Sequence, residues 1–534
     1  MKFLGKKISG PFTIPSGIVA TRVPVMEKIA GEVPEIGVIT TKSIGPSPRE
    51  GNREPIFTQY APGCFMNAVG LTNPGAEAFA RELEDISVPG DRFLLTSIFG
   101  KDAAEFVQVA KIVAPCSDGL ELNLSCPHAD GYGMAIGQDK KLVREITTAV
   151  KKSVSIPVIP KLTPNTPDIS EIAAAAADGG ADAICAINTV GPGYYTVDGN
   201  PVLTNKEGGM SGRGVLPIGL ASVRKIAGAV DIPIIGCGGI TGADDARAYT
   251  DAGASILGIG SALAGLSTKR LKSYFHQLGK DLENNTNEAI DLLETYLNME
   301  YRKYVLVENN SLAGDLNLLV FDGKMDIQPG RFVFAWVPGV GEKPFSVLDN
   351  DPLTLSIRKV GCFTNKITSL EKGESVYFRG PCGTPVVPPE QATVILLSGG
   401  CGLAALYQLA RNSGKTIAFI GARDKTHLFY IDKLSEHATV HVATDDGSEG
   451  YGGFVTDLLQ RELKRLKGND PLVFYNCGPE PMIEAAVKIE RRYTSPDKIF
   501  NSVDYITRCG VGVCGSCASP DGRRLCVDGP FLDV

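Results

Sequence analysis

Four cysteines near the C-terminus are spaced like a ligand set. They read Cys509-Gly-Val-Gly-Val-Cys514-Gly-Ser-Cys517 and then, after eight more residues, Cys526. Spacings of four and two with a more distant fourth thiolate suit a [2Fe–2S] cluster. The intervening glycines let the backbone curl round a cluster and turn amide hydrogens toward its sulfurs. Four thiolates also suit tetrahedral zinc, although zinc loops more often come as two separated Cys-x2-Cys pairs. Disulfides are a third alternative. A cluster at one end of a chain implies one-electron traffic, and so an electron source and a sink elsewhere in it.

A second constellation lies in the first three hundred residues. Lys42 follows one apolar run and Lys161 closes another. A lysine ending a buried strand is costly unless it meets an anion or an electron-rich ring, and a surface salt bridge is the plain alternative for each. Asn67, Asn123 and Asn188 offer paired donors and acceptors suited to a planar, amide-like substrate. Cys126, in Asn123-Leu-Ser125-Cys126-Pro127-His128, reads as an inert core thiol or as a general base of modest basicity, its thiolate favoured by nearby lysines. Gly236-Cys237-Gly238-Gly239 and Gly260-Ser261 each end an apolar run and precede a helix. Backbone amides in such turns can hold a phosphate, although glycines after strands are also ordinary turns.

These residues need elements that bring them together. Apolar runs of strand length lie near 12–16, 36–41, 92–97, 119–124, 156–161, 182–188, 232–236 and 254–259. They are apolar throughout rather than alternating, as in parallel strands buried on both faces. Helix-like segments such as 76–85, 102–113, 139–151 and 168–178 separate them. Eight such units fit a (β/α)8 TIM barrel better than a doubly wound sheet, and active sites of such barrels form at the C-terminal strand ends. Lys42, Asn123, Lys161, Asn188 and the two glycine turns stand at those ends. Residues 266–302 read as mostly helical and polar, finishing the barrel.

The chain has 534 residues, too many for one hydrophobic core. A net charge of −7 argues against a nucleic-acid partner and a polybasic membrane anchor. No run of about twenty apolar residues could span a membrane. The opening MKFLGKKISGPFTIPSG has no apolar stretch long enough for a signal peptide. Thirteen cysteines, many alone in apolar or glycine-rich runs, suit a reducing compartment, with the cytoplasm as the default.

Read in order, Thr41-Lys42-Ser43, Arg49-x-Gly51-Asn52, Asn67-Ala-Val-Gly70-Leu71-Thr-Asn73, Asn123-Leu-Ser-Cys126-Pro, Lys161-Leu-Thr-Pro-Asn165, Ile187-Asn188-Thr189, Gly208-Gly209-Met-Ser211-Gly212 and Gly238-Gly239 closely resemble the dihydroorotate dehydrogenases, particularly the kind that works with an electron-transfer subunit. The resemblance implies FMN over the barrel mouth. It implies that Cys126 removes a proton from C5 of dihydroorotate while hydride leaves C6. Lys42, Asn67, Gly70, Leu71, Asn123, His128, Asn188 and Thr189 would surround the substrate, Lys42 answering its carboxylate. Ser16, Gly17, Lys42, Ser43, Asn123 and Lys161 would line the flavin, with Lys161 facing its ring. Gly212, Gly238, Gly239, Gly260 and Ser261 would hold the FMN phosphate, and the loop 127–137 would act as a lid. The family usually has asparagine where His128 stands. Histidine lacks the paired amide pattern and titrates near neutral pH, so another dihydropyrimidine is the alternative substrate.

From Tyr304 the pattern changes to short runs split by Gly, Pro and Asp, at 305–307, 317–321, 331–336, 353–357 and 375–378, as in an antiparallel β-barrel. After Thr393, Val394-Ile-Leu-Leu397 runs into Ser398-Gly-Gly-Cys-Gly402 and a helix over 403–412. That is a dinucleotide-binding start without a full GxGxxG. Further strands at 416–420 and 472–475 lead into Gly421-Ala-Arg423-Asp424 and Asn476-Cys477-Gly478-Pro479. This half resembles the ferredoxin–NAD(P) reductase superfamily, most closely the electron-transfer subunit of dihydroorotate dehydrogenase. The resemblance implies FAD against Lys343, Pro344, Phe345, Ser346, Arg358, Gly361, Thr364 and Gly383. Lys343 stands where the family has arginine and loses its flat fork. It also implies a nicotinamide pocket flanked by Gly400, Gly402, Cys477 and Gly478, and a cluster on Cys509, Cys514, Cys517 and Cys526.

The expected layout is an FMN barrel over 1–302, an FAD-binding β-barrel over 303–389, an NAD-binding α/β domain over 390–500 and a [2Fe–2S] domain over 501–534. The implied reaction is oxidation of (S)-dihydroorotate to orotate in de novo pyrimidine biosynthesis. Electrons would pass from FMN through [2Fe–2S] and FAD to NAD+, in a homodimer. Arg423 suits a 2′-phosphate, so NADP is an alternative acceptor, beside ferredoxin or a quinone. A docking scaffold without catalysis is opposed by Cys126, the two lysines and the phosphate loops.

Overall fold

The computed structural model describes residues 1–124, 134–293, 297, 299–313, 315–466, 470–503 and 505–533. The chain forms two compact units, Met1–Leu297 with Val511–Arg524, and Asn298–Gly510 with Leu525–Val534. The stretch from 501 that the sequence sets apart is therefore shared between them.

The first unit is the expected parallel barrel. Its strands are β1 Phe12–Ile14, β2 Ile36–Thr40, β3 Phe93–Ile98, β4 Gly119–Asn123, β5 Val158–Leu162, β6 Ile184–Ala186, β7 Ile234–Cys237 and β8 Ile256–Gly258. They close in sequence order, β8 pairing with β1. Each apolar run became a strand because both its faces are covered, by helices outside and by side chains within. Inside, Val38, Phe93, Leu95, Ile159, Cys185, Ile235 and Ile256 pack as one apolar layer, joined by Phe3 from the N-terminal hairpin. Phe3 meets Phe93 edge-on, with ring centroids 5.3 Å apart. Burying such side chains is worth about 1.5–3 kcal/mol each.

Three of the helices start where a carboxylate caps them. Asp102, Asp139 and Asp168 accept from the backbone N–H groups of Glu105, Lys141 and Ser170, satisfying donors the helix itself cannot. The polar stretch after the barrel is less helical than its composition suggests. Thr268–Asn284 is a helix, but Asn285 turns left-handed (φ 57°) and ends it, and a 3-10 turn over Glu288–Leu292 follows. One sheet was not anticipated. Phe57–Ala61, Cys64–Asn67, Glu207–Gly212 and Val190–Tyr194 form an antiparallel ribbon. Its strands are short, and two of them are broken by Gly or Pro, so they lack the apolar run that marks the barrel strands.

Val511–Arg524 is bound into this first unit by its backbone. Val19 N donates to Val513 O (2.7 Å), Gly265 N to Val511 O (2.8 Å) and Thr21 Oγ1 to Cys514 O (2.9 Å). Buried Arg524 donates to the carbonyls of Gly512 and Leu266 at 2.8 and 3.1 Å.

The second unit holds two seven-stranded sheets. The expected antiparallel barrel is one antiparallel sheet, hydrogen-bonded in the order Gly341–Ser346, Phe332–Val337, Ser375–Cys382, Arg302–Ala313, Leu316–Phe321, Leu353–Arg358, Asp349–Asn350. Arg302–Ala313 pairs with Ser375–Cys382 through Val305 and with Leu316–Phe321 from Leu306 onward, with register shifts on the way. Handing one long strand between two partners curls the sheet. The other sheet runs Tyr451–Gly452, Thr439–Thr444, Thr416–Ala422, Thr393–Gly399, Leu472–Cys477, Ile499–Ser502, Leu532–Asp533, parallel except at its last strand. Strand order reverses at Thr393–Gly399, which makes a crevice at its C-terminal end. Among the described residues no helix is long and apolar enough to cross a membrane.

This sheet buries one carboxyl at a cost. Glu490 is fully buried. Asn476 Nδ2 donates to its Oε2 at 2.9 Å, while Oε1 has no partner among the described residues. Burial pushes its pKa up to about 7, with the Asn476 bond opposing. The folded protein thus holds this proton more tightly than the unfolded chain, so stability is greatest below the ordinary carboxyl range and falls as pH rises through about 7. A displacement of that size is worth roughly 3 kcal/mol. Glu490→Gln should raise the unfolding midpoint of the second unit at pH 8 and flatten its fall between pH 5 and 8. Calorimetry across that range checks it, and an unchanged pH slope would refute the assignment.

Candidate functional site

At the C-terminal ends of the barrel strands lies a cavity of ≈ 1160 Å³ of empty space, its open mouth included. Its walls include Ser16, Gly17, Lys42, Ser43, Asn67, Gly70, Leu71, Asn123, Lys161, Asn188, Thr189, Gly212, Gly238, Gly239, Gly260 and Ser261. Every barrel residue expected to touch substrate or flavin that the structure describes is therefore at one place. Cys126 and His128, and most of the loop expected as a lid, lie outside the described residues.

Strand geometry explains the convergence. In β4, Glu121 and Asn123 are two apart and share a face, and Asn123 stands opposite Lys161 of β5. Lys161 Nζ donates to Ser16 Oγ at 3.0 Å and lies 3.7 Å from Glu121 Oε1. Lys161 is 4% exposed and Glu121 1%. Burial alone would push the ammonium toward neutrality, yet the Glu121 carboxylate, with the Cys185 and Cys237 sulfurs nearby, holds its pKa above the ordinary lysine value. The lysine is a fixed cation in the cavity wall.

Polar contacts continue from Glu121 toward the mouth. Ser97 Oγ donates to Glu121 Oε1 (2.8 Å) and meets Ser43 Oγ (2.8 Å). Asn123 Nδ2 donates to Ser43 Oγ (2.9 Å), Asn188 Nδ2 to Asn123 Oδ1 (3.1 Å), and Thr189 N to Asn188 Oδ1 (2.8 Å). Asn67 comes from the antiparallel ribbon, its Nδ2 donating to Gly209 O at 3.3 Å.

The opposite wall is glycine-rich. Gly239 has φ 86°, and a Cβ there would stand 2.7 Å from Leu216 N. Only glycine fits, which leaves the backbone bare toward the cavity. Ser261 Oγ meets Ser211 Oγ at 2.8 Å beside it. These groups fit the phosphate of FMN, and Lys161 fits the flavin ring.

Sequence reasoning missed Glu121 and Ser97, and gave no role to Met210 or Ser211. Glu121 had a signal. An acid in the middle of Gly119-Leu-Glu-Leu-Asn123, a run apolar enough to be buried on both faces, demands a cationic partner.

In the second unit, Gly400, Gly402, Cys477 and Gly478 meet at the crevice where strand order reverses. Ser398 pairs with Cys477, and a Cβ on Gly402 would lie 2.1 Å from Cys477 O. The strand ends approach so closely that backbone forms the floor. Lys343, Pro344, Phe345 and Ser346 lie on the strand Gly341–Ser346, and Phe345 stacks on Phe363 at 6.2 Å. Arg358 Nε donates to Asp315 Oδ2 at 2.8 Å, and this bond keeps the Asp315 carboxyl below its ordinary pKa. Thr364 Oγ1 accepts from Val360 N and Gly361 N at 2.9 and 3.0 Å. Gly383 has φ 87°.

Cys509, Cys514, Cys517 and Cys526 are all buried. Among the described residues no group of three or more His, Cys, Asp or Glu is placed to hold a metal ion.

The dihydroorotate dehydrogenase family model matches residues 1–282. The chain is 44% identical over 267 residues to the catalytic subunit of dihydroorotate dehydrogenase B (NAD(+)) of Pyrococcus horikoshii, covering 49% of this chain and 86% of that one. The Methanosarcina mazei subunit of the same name is 41% identical over 281 residues, covering 52% and 87%. A solved structure described as an NADH-dependent reduced ferredoxin-NADP oxidoreductase is 26% identical, covering 43% of this chain and 87% of that one, with a TM-score of 0.39.

Gly239→Ala tests the glycine wall. A side chain at that φ costs about 1–3 kcal/mol before the contact with Leu216 is relieved. Flavin bound per barrel should fall at least tenfold while far-ultraviolet circular dichroism is unchanged. Full flavin content in the variant would remove Gly239 from the site.

Proposed function

The chain belongs to the dihydroorotate dehydrogenase family, and on that premise we propose that its barrel oxidises (S)-dihydroorotate to orotate, a step of pyrimidine biosynthesis. We propose further that the second unit delivers the electrons to NAD+, by way of FMN, a [2Fe–2S] cluster and FAD. The observation that carries this reading is the cavity itself. A buried, charge-paired lysine and three asparagines from separate segments line one space with a glycine wall opposite.

Bound FMN would accept the hydride from C6 of the substrate. The chain's own residues prepare that transfer. Lys42, half-buried in the cavity wall, would answer the substrate carboxylate. Asn67, Asn123, Asn188 and Thr189 would hold the ring amides, each pairing a donor or acceptor with its opposite. Cys126 would take the C5 proton on its sulfur. Lys161 would place positive charge where negative charge develops.

The four C-terminal cysteines suit an iron–sulfur cluster by the chemistry of the donor set. All are buried, and Gly510, Gly512 and Gly515 between them all have positive φ. A cluster there would supply one-electron transfer. FAD against Lys343–Ser346 and Gly383 would supply exchange between single electrons and hydride. The crevice flanked by Gly402 and Cys477 suits the nicotinamide.

An anaerobic titration tests the whole reading. Dihydroorotate should bleach the flavin absorbance of the purified protein, and NAD+ should restore it. Bleaching by NADH but not by dihydroorotate would overturn the substrate, and His128→Asn would be the first variant to try. Cys126→Ala should lower the rate of bleaching at least a hundredfold without loss of FMN, and an undiminished rate would sink the base assignment. Cys514→Ser should lose iron and the reoxidation by NAD+ while dihydroorotate still bleaches FMN; iron analysis and electron paramagnetic resonance read the first effect.

A further inference from the structure

We infer that Glu121 is a positioning residue for the ring-binding amides: through Ser97 and Ser43, its carboxylate holds one end of a chain, pinned at the other by the Thr189 N–H, that sets which way Asn123 and Asn188 turn their N–H and C=O groups. The inference rests on the reading that the cavity binds a pyrimidine ring. Neither Glu121 nor Ser97 lines the cavity.

Glu121 sits 3.7 Å from the Lys161 ammonium and is a carboxylate, which can only accept. Ser97 Oγ, 2.8 Å from Glu121 Oε1, must therefore donate its one proton there. The Ser43–Ser97 contact of 2.8 Å then needs Ser43 as donor. With that proton committed, Ser43 can only accept from Asn123, so the amide presents Nδ2 to it, at 2.9 Å. Asn123 Oδ1 is left toward Asn188, whose Nδ2 donates at 3.1 Å. Asn188 Oδ1 accepts from the backbone N–H of Thr189 at 2.8 Å, so the far end is pinned in the same sense. The two ends of the chain agree, and every link between them has one allowed direction.

An amide has nearly the same shape either way round, so packing alone does not choose its orientation. For a planar ring with alternating N–H and C=O groups, the orientation decides between pairing and clash of like groups. A carboxylate three hydrogen bonds from Asn123 biases that choice without touching the ligand.

The competing role for Glu121 is that of counter-ion to Lys161 and nothing more. Ser97→Ala separates the two. It leaves the lysine and the carboxylate in place and removes the link to Ser43. The Ser43 hydroxyl then loses its acceptor and can turn its proton toward Asn123 Nδ2, so the amide is held in its sense from the Asn188 end alone and opposed at the other.

The experiment uses the full-length, FMN-loaded protein and orotate, read by the change in flavin absorbance on binding. Wild type should bind orotate saturably. Failure there would overturn the pyrimidine reading of the cavity, and the inference with it. Ser97→Ala should retain full FMN content and the wild-type melting temperature without ligand, yet bind orotate roughly tenfold more weakly. Glu121→Gln, whose amide can donate as readily as accept, should weaken orotate at least as much. If wild type binds and Ser97→Ala binds equally well, the inference is wrong. It is equally wrong if Ser97→Ala loses FMN or melting temperature in step with orotate, since the hydroxyl would then serve only the fold.

Discussion

A lysine ammonium inside a ring of apolar strands is the constraint on which the first unit is built. Taking an unpaired charge out of water costs several kcal/mol even after relaxation. Lys161 stays charged because Glu121 lies beneath it and Ser16 accepts from it. Removing one partner of such a pair costs about 3–5 kcal/mol. The pair in turn dictates how the barrel interior is layered. Near the N-terminal strand ends it is filled by Phe3, Phe93, Ile159 and their neighbours. Near the C-terminal ends it must be polar, and there Thr13 meets Thr40, Ser43 meets Ser97, and Ser97 reaches Glu121. The cavity opens on the polar layer because only that layer carries groups that can be left facing a ligand.

The second unit solves a similar problem with a guanidinium. Arg379 and Glu342 are both almost wholly buried and meet in a two-point bond, Nη2 to Oε1 at 2.6 Å and Nε to Oε2 at 2.9 Å. Tyr301 donates to the same carboxylate at 2.7 Å, and the guanidinium lies 4.0 Å from the centroid of the Phe334 ring. Its remaining arm, Nη1, donates to the Cys509 carbonyl at 3.0 Å. In the first unit Arg524 does the same for the Gly512 carbonyl. Two buried arginines, each within its own unit, thus fix backbone of the cysteine loop. Arginine suits this because its planar fork can satisfy a carboxylate and still keep a donor to spare.

How much of this was legible in the sequence depends on whether a residue's environment is set locally. Strands covered on both faces must be apolar throughout, so all eight barrel strands could be read, each to within a few residues. The polar residues closing those strands could be read for the same reason, since Lys42, Asn123, Lys161 and Asn188 interrupt an otherwise apolar pattern. The ribbon carrying Asn67 and Gly212 could not. Its two hairpins pair with one another across about 140 residues, and nothing in either short segment says what it will pair with. Helix Thr268–Asn284 was read too long because its end is set by a single left-handed residue rather than by a change in composition. The curl of the antiparallel sheet depends on one strand changing partners, which is a property of pairing and not of any one run. Ser97 and Glu121 lie between these cases. Each is an anomaly in its own strand, but their meaning comes only from standing beside Lys161 and Ser43.

Pairing also sets how strongly the cavity can hold negative charge. A lone ammonium in a site shielded from water would attract an anion with its full charge, an attraction that low polarity greatly strengthens. With Glu121 3.7 Å away, Lys161 presents a dipole instead, its positive end toward the cavity wall at Ser16. The attraction is smaller and falls off faster with distance. For a group that only had to be stabilised in its charged form, the lone cation would serve better. For one that must take up charge and then pass it on, too deep a well would trap it. A cation half-cancelled by a buried carboxylate meets both demands, and the same carboxylate is what allows the cation to survive burial at all.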